Sequence, residues 1–200
     1  MEINNLQDLK KASEEAGILL QKIQNYCEEN NLNRVESDEA KVRFPRGFIR
    51  TAVIQRYRFP FITNRALKSN LAYTLILSDA VFWLSLRTDL SGIASEMLIK
   101  LYAFLVGTMC ESITKEYLVK VCNKGFKPRN EYMLQNKIIS QELKDGLDWV
   151  WDTRNRMHLF QLDIGEYIND YDIACHKRGI KAFRGLIEAL DNHSKLQAPW

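Results

Sequence analysis

Apolar residues recur every three or four positions through most of this 200-residue chain, and this helical spacing constrains its fold more than any other feature. The spacing is clearest over residues 6–30, where charged side chains separate the apolar ones. Alternation at every second position, which would indicate strands, is nowhere convincing. The sequence therefore predicts an all-α fold built as a helical bundle.

Capping residues and helix breakers divide this pattern into segments. Asn123, Gly125 and Pro128 predict a stop after the fourth helix, and Ser140 predicts a division inside the next helical stretch. The predicted helices span residues 6–30, 48–57, 64–86, 93–122, 133–160 (divided near 140) and 171–193. We expect residues 1–40 to form an N-terminal helix and loop, and residues 41–195 to form the bundle.

The composition is that of a globular protein, with 46% hydrophobic and 26% charged residues. The two most apolar stretches are interrupted by Asp79 in one and by Glu96 and Lys100 in the other. We therefore expect neither to span a membrane. The first residues have no cationic start and no apolar core of a signal peptide, which predicts a cytoplasmic location.

The four cysteines are scattered, without neighbouring histidines at zinc-ligand spacing, so we expect reduced thiols in packing roles and no metal site. The glycine-rich motifs that hold nucleotide phosphates are absent from the sequence, as is the serine elbow of hydrolases. The sequence predicts no cofactor.

Positive charge is concentrated in residues 41–68, which hold eight basic residues and no acidic one. Aromatic residues lie between these cations, and this mixture can bind phosphates by charge and unstacked bases by aromatic faces. It indicates RNA as a partner. The candidate substrate-binding residues here are Arg46, Arg50, Arg56 and Arg58. The alternative is a solvated basic face whose aromatic residues point into the core.

Arg154 and His158 are four residues apart and would share one face of a helix. This face continues an apolar stripe that includes Trp151. Histidine can move protons near neutral pH, and arginine presents a charged fork that fits phosphate oxygens. The alternative is a structural arginine held by a carboxylate. Glu111, in a strongly apolar helix, could pair with Arg154, cap a neighbouring helix or reach solvent.

Residues 93–190 resemble the HEPN superfamily of small all-helical domains associated with nucleic acids. The resemblance consists of Glu111 within its long apolar helix, the later Arg154-Asn155-Arg156-Met157-His158, and one further amphipathic helix. Family members carry an arginine, usually followed by a polar residue, and a histidine after four to six intervening positions. Here only three residues separate Arg154 from His158.

The resemblance implies metal-independent RNA cleavage at the interface of a homodimer. His158 would act as general base on the ribose 2′-hydroxyl or as acid on the leaving oxygen, and Arg154 would stabilise the phosphorane. Asn155 would orient the histidine or the phosphate, and Arg156 would contact RNA at the periphery. Many members are toxins or defence factors, which implies an antitoxin or immunity partner. The rival hypothesis is a non-catalytic helical dimer that binds RNA, a nucleotide or a partner protein.

Overall fold

The computed structural model describes residues 2–156 and 171–197, and these residues form an all-α protein without a strand. The predicted fold class is confirmed. The α-helices in the described ranges are α1 (Leu6–Glu29), α2 (Ala52–Arg56), α3 (Arg65–Arg87), α4 (Gly92–Tyr117), α5 (Phe126–Gln135), α6 (Gln141–Asn155) and α7 (Ile173–Leu196), with one 3-10 turn at Asp38–Ala40.

The chain divides into two compact units, Met1–Arg46 and Gly47–Trp200. The first unit contains α1 and the 3-10 turn, and the second contains α2 to α7. The boundary expected from the sequence, after residue 40, falls inside the first unit.

Helix α4 is the centre of the second unit, where it contacts α3, α5, α6 and α7. Its side chains Val106, Cys110 and Ile113 are completely shielded from solvent. They pack in one hydrophobic core with Leu147 of α6 and Leu186 of α7. Both elements that carry the predicted site, α4 with Glu111 and α6 with Arg154, are therefore anchored by this core.

Helices α3 and α4 are each long and apolar enough to cross a bilayer, by length and composition alone. Both also carry buried charges, Asp79 in α3 and Lys100 in α4. They pack against each other and supply core residues to the bundle, as the core helices of a globular protein do. The expectation that neither spans a membrane stays a prediction.

Side-chain caps fix the first turn of five helices. In each, the residue before the helix accepts a hydrogen bond from a backbone N–H one turn on, as N-caps do. These residues are Asn5, Thr51, Asn64, Ser140 and Asp172. The predicted division at Ser140 is confirmed, because its hydroxyl caps α6 at the Leu143 N–H, 3.2 Å away.

The connection between α4 and α5 differs from the prediction. Helix α4 ends at Tyr117 rather than near residue 122, and α5 begins at Phe126 rather than 133. Pro128 does not follow a helix stop but lies in the first turn of α5, where a missing N–H breaks no intrahelical bond. The buried side chains of Leu118 and Phe126 turn this connection back into the core.

Two further helices are shorter than predicted. Helix α2 starts only at Ala52, because the backbone N–H of Arg50 donates to Asp79 of α3 (3.1 Å) instead of joining a helix. Helix α6 ends at Asn155, with Arg156 as its C-cap, and not near residue 160. His158 lies outside the described residues, so the prediction that one helical face carries both Arg154 and His158 stays a prediction.

Candidate functional site

Arg154 lies in the last turn of α6 and forms the predicted ion pair with Glu111 of α4. Its Nη2 atom is 3.4 Å from Oε2 of Glu111, and the two side chains are 28% and 32% exposed. Of the three roles that the sequence left open for Glu111, the structure shows the pair with Arg154. Because both groups remain partly exposed, the pair is accessible from solvent and does not form part of the sealed core.

Two more contacts hold the Arg154 side chain in one position. Its Nη1 donates to Oδ1 of Asn155 (3.1 Å), and its guanidinium lies over the Trp151 ring, 5.0 Å from the centroid. Its Nε is buried and makes no hydrogen bond. Asn155, expected to orient the histidine or a phosphate, binds the arginine in this structure.

Gly107 of α4 makes the approach of Arg154 possible. A Cβ atom at this position would lie 2.7 Å from Cβ of Arg154 and 3.0 Å from its Cγ, closer than real atoms approach. Sequence reasoning missed this residue. A glycine inside an otherwise strong helical pattern is a signal of close packing that could have identified it.

The remaining residues of the predicted catalytic motif are placed as follows. Arg156 is the C-cap of α6 and is exposed. His158 lies outside the described residues. The structure thus brings Arg154, Asn155 and Glu111 together at the end of α6.

The basic segment is split between different environments. Arg46 is exposed in the first unit, and Arg56 is half-buried in α2. Arg50 forms a salt bridge with Asp79, to which the buried Gln55 also donates (3.0 Å). No sequence signal indicates this partner, because Asp79 follows Arg50 by 29 positions and lies in the next long helix.

Arg58 belongs to a group of three arginines that we call the arginine cluster: Arg50, Arg58 and Arg184 of α7. Burial lowers the pKa of Arg58, and the positive charges of Arg50 and Arg184 lower it further. The Arg58 guanidinium lies 5.8 Å from the centroid of the Phe183 ring. With Asp79 as the carboxylate that pairs with Arg50, the cluster has an excess of positive charge.

The arginine cluster borders two grooves. Arg58 and Arg184 line a groove of about 330 Å³ that also includes Tyr57. Arg184 lines a second groove of about 760 Å³ between α6 and α7, with Lys181 and Lys177 one and two turns before it. Lys181 pairs with Glu142 at 2.6 Å. Acidic residues line these grooves too, Glu188 in both and Asp191 in the first, so the surface beside the arginine cluster carries charges of both signs. Sequence reasoning did not include it.

His176 and His193 lie among charged residues in the sequence, which predicts that both are solvated, and the structure differs from this prediction. His176 stacks on Phe82 at 5.3 Å between centroids and also contacts Tyr102. Burial lowers its pKa, and its Nε2 makes no hydrogen bond. Nδ1 of His193 lies 2.7 Å from the Tyr117 hydroxyl, in hydrogen-bonding distance. The neighbouring charges in sequence were misleading because α7 turns both rings towards α4.

All four cysteines are buried and free, in agreement with the predicted packing roles. Burial raises the pKa of the Cys110 thiol to about 12, so this thiol stays protonated and unreactive. Within residues 2–156 and 171–197, no group of three histidine, cysteine or acidic side chains is arranged to hold a metal ion.

Comparisons with known proteins give no family assignment. No protein-family model matches this chain, and no curated protein or solved structure shows significant similarity to it. The resemblance to the HEPN superfamily therefore rests on the residues themselves.

Proposed function

We propose that the protein is a HEPN-type endoribonuclease that cleaves RNA without a metal ion, with Arg154 and His158 in the reaction. One observation carries this proposal: the Arg154 guanidinium is held by Glu111, Asn155 and Trp151 at a partly exposed helix end. A cation that is ordered before substrate binds costs less to position against a phosphate. His158 follows it by four residues.

The chemistry needs only these side chains and the RNA. The ribose 2′-oxygen attacks the phosphorus and forms a new O–P bond, while the bond from phosphorus to the 5′-oxygen breaks. His158 accepts the 2′-hydroxyl proton while water protonates the departing 5′-oxygen, or it protonates that oxygen while water takes up the 2′-hydroxyl proton. Arg154 stabilises the negative charge of the phosphorane. The products are a 2′,3′-cyclic phosphate and a 5′-hydroxyl.

The site is completed, in this proposal, by a second copy of the chain. Trp151 and the Arg154–Glu111 pair form a mixed apolar and polar surface, which suits a partly wet interface. Two copies of the motif would meet across a two-fold axis in a homodimer. The proposal also places the protein in the cytoplasm, as a toxin or defence factor with an antitoxin or immunity partner.

The test is cleavage of a labelled RNA in EDTA by the full-length protein. We expect His158→Ala to slow cleavage by roughly 10²–10⁴-fold, the usual contribution of a general acid or base, with RNA affinity nearly unchanged. Arg154→Lys keeps the charge but loses the fork, so it should also slow cleavage. Lys115→Gln, an exposed charge one turn after Glu111, serves as the matched control. Cleavage that survives both site substitutions would contradict the proposal.

A second candidate function is RNA binding without cleavage, and the arginine cluster favours it. Arg58 is held half-buried beside two other arginines, an arrangement that an RNA phosphate would relieve. We expect Arg58→Gln with Arg184→Gln to weaken RNA binding and to reduce its salt dependence, by about one unit of slope for each phosphate that is no longer neutralised. Lys115→Gln is again the control. Unchanged affinity and slope would argue against the cluster as an RNA contact.

The two candidates are separated by combining the measurements. Loss of cleavage in His158→Ala with binding intact supports the nuclease. Binding that depends on the arginine cluster, in a wild-type protein that leaves RNA intact with and without EDTA, supports the binding function alone.

A further inference from the structure

Helix α1 exposes an apolar face along its whole length. Leu9, Leu19 and Tyr26 are 47%, 59% and 61% exposed, and Cys27 is the buried residue of the helix. A 24-residue helix is about 36 Å long. An isolated helix with such a face is marginal in water and gains stability by packing.

The face follows a heptad repeat. Its residues are separated by three and four positions in strict alternation, which places them at the a and d positions of a coiled coil. They are Leu9, Ala12, Ala16, Leu19, Ile23 and Tyr26. The exposed Leu6 and Leu20 lie at the e positions beside this seam. A second helix packed on the seam contacts e positions as well as a and d, so the heptad spacing indicates another helix as the occupant.

We propose that α1 pairs with α1 of a second copy of this chain as an antiparallel two-stranded coiled coil. In the favoured register, Ala16 faces the partner's Leu19 and Ala12 faces the partner's Ile23. Leu9 then faces the partner's Tyr26. Each alanine meets a large side chain, so no layer joins two small residues and the four central layers have similar volume.

A parallel pair lacks this complementarity. Its layers would join each residue to its own copy, so Ala12 would face Ala12 and Ala16 would face Ala16. Two successive layers of small side chains would leave a gap in the middle of the seam. Such gaps are costly because neighbouring atoms relax only partly to fill them.

The flanking charges also favour the antiparallel register. Glu15 and Lys22 lie on the same side of the seam, and in this register Glu15 faces the partner's Lys22. The two-fold axis makes this contact twice. In a parallel pair, Glu15 would face Leu20 and Lys22 would face Cys27. Asp8 faces the partner's Glu29 at each end of the pair, and this like-charge contact offsets part of the attraction.

Disulfide crosslinking between variant chains tests the contact directly. Ala16→Cys and Leu19→Cys are introduced separately into the full chain, and each variant is oxidised alone and in an equal mixture. We expect crosslinked dimers mainly in the mixture, at least tenfold more than in either variant alone. In the proposed register positions 16 and 19 face each other within disulfide reach, while identical positions are offset along the axis.

Charge exchange tests the register without changing the apolar seam. Lys22→Glu should raise the dimer dissociation constant about tenfold in sedimentation equilibrium, because two attractive contacts become repulsive. Glu15→Lys combined with Lys22→Glu should restore it to within about threefold. Lys10→Glu, on the outer side of α1, is the matched control with the same change in net charge.

Each other outcome overturns the proposal. Crosslinking of Ala16→Cys with itself would indicate a parallel pair. Absence of crosslinks in all samples would show that α1 does not pair with itself, even if the protein dimerises elsewhere. A dimer dissociation constant that does not change in Lys22→Glu, or that the double variant does not restore, would exclude the register.

Discussion

Arg154 has two partners of different kinds, a carboxylate in α4 and an aromatic ring in its own helix. These contacts settle the two sequence-based hypotheses for this residue only in part. The pair with Glu111 is the structural role that the sequence allowed, yet the partial exposure of both groups leaves the guanidinium reachable by an anion. One arginine can therefore serve both the fold and the proposed reaction.

The first prediction at the residue scale concerns Gly107. We expect Gly107→Ala to lower the free energy of unfolding by about 1–3 kcal/mol, because the added Cβ meets the Arg154 side chain. Gly179→Ala is the matched control: in α7, no described atom lies within 4 Å of a Cβ added at this position, so it should stabilise by about 0.5–1 kcal/mol. Urea unfolding measures both. Equal effects of the two substitutions would contradict the close approach.

The second prediction concerns the pH dependence that His176 adds to stability. Burial lowers its pKa in the folded state, so the unfolded chain takes up the proton first. Stability should therefore fall as the pH drops below about 6.5, the ordinary histidine value, until the folded state is protonated too. His176→Phe keeps an aromatic ring beside Phe82 and removes this contribution.

Urea unfolding of both proteins at about pH 7.5 and about pH 5.5 checks the second prediction, since these values bracket ordinary histidine titration. The wild type should lose more stability on acidification than His176→Phe. An identical loss in both would show that His176 titrates normally in the fold.

At the scale of elements, Asp79 ties α2 and the segment before it to α3. Its carboxylate accepts hydrogen bonds from the backbone and side chain of Arg50 and from Gln55. The side chain is buried, while Arg50 is about half exposed. One carboxylate therefore orders a short helix whose large apolar side chains, Val53 and Ile54, stay exposed.

The third prediction follows from this connection. We expect Asp79→Asn to lower the free energy of unfolding by about 2 kcal/mol, because the amide keeps the size but loses the charge and one acceptor. Asp89→Asn, at an exposed position after α3, is the control and should change little. Thermal unfolding followed by circular dichroism measures both. If Asp89→Asn lowers the free energy of unfolding as much as Asp79→Asn does, the hydrogen bonds of Asp79 do not explain the loss.

The elements differ in how well the sequence predicts them. Helices α1 and α3 follow from their apolar period and their asparagine caps, because these signals are local. The start of α5 was missed because Pro128 predicts a helix stop, although proline is tolerated in the first turn of a helix. Packing of Phe126 in the core sets where α5 begins. The sequence offered the Glu111–Arg154 pair as one of three roles for Glu111, because a carboxylate in an apolar helix needs a partner. The Arg50–Asp79 pair had no such signal.

At the scale of the whole molecule, the residues of the main hydrophobic core in the second unit all lie between Phe59 and Leu190. We therefore predict that limited trypsin digestion, cutting at Arg43 or Arg46, releases a stable fragment that starts at residue 44 or 47. Mass spectrometry identifies the fragment, and circular dichroism should show it helical with a cooperative thermal transition. A fragment that is degraded at once would contradict an independent second unit.

The buried thiols offer a consequence for measuring motion in this protein. Cys27 belongs to the first unit and Cys110 to the centre of the second, and neither is in a disulfide. A thiol reagent modifies a buried cysteine only when the surrounding structure opens. The first unit has one such thiol and the second has three, so labelling rates resolved by residue report the opening of each unit separately without any substitution.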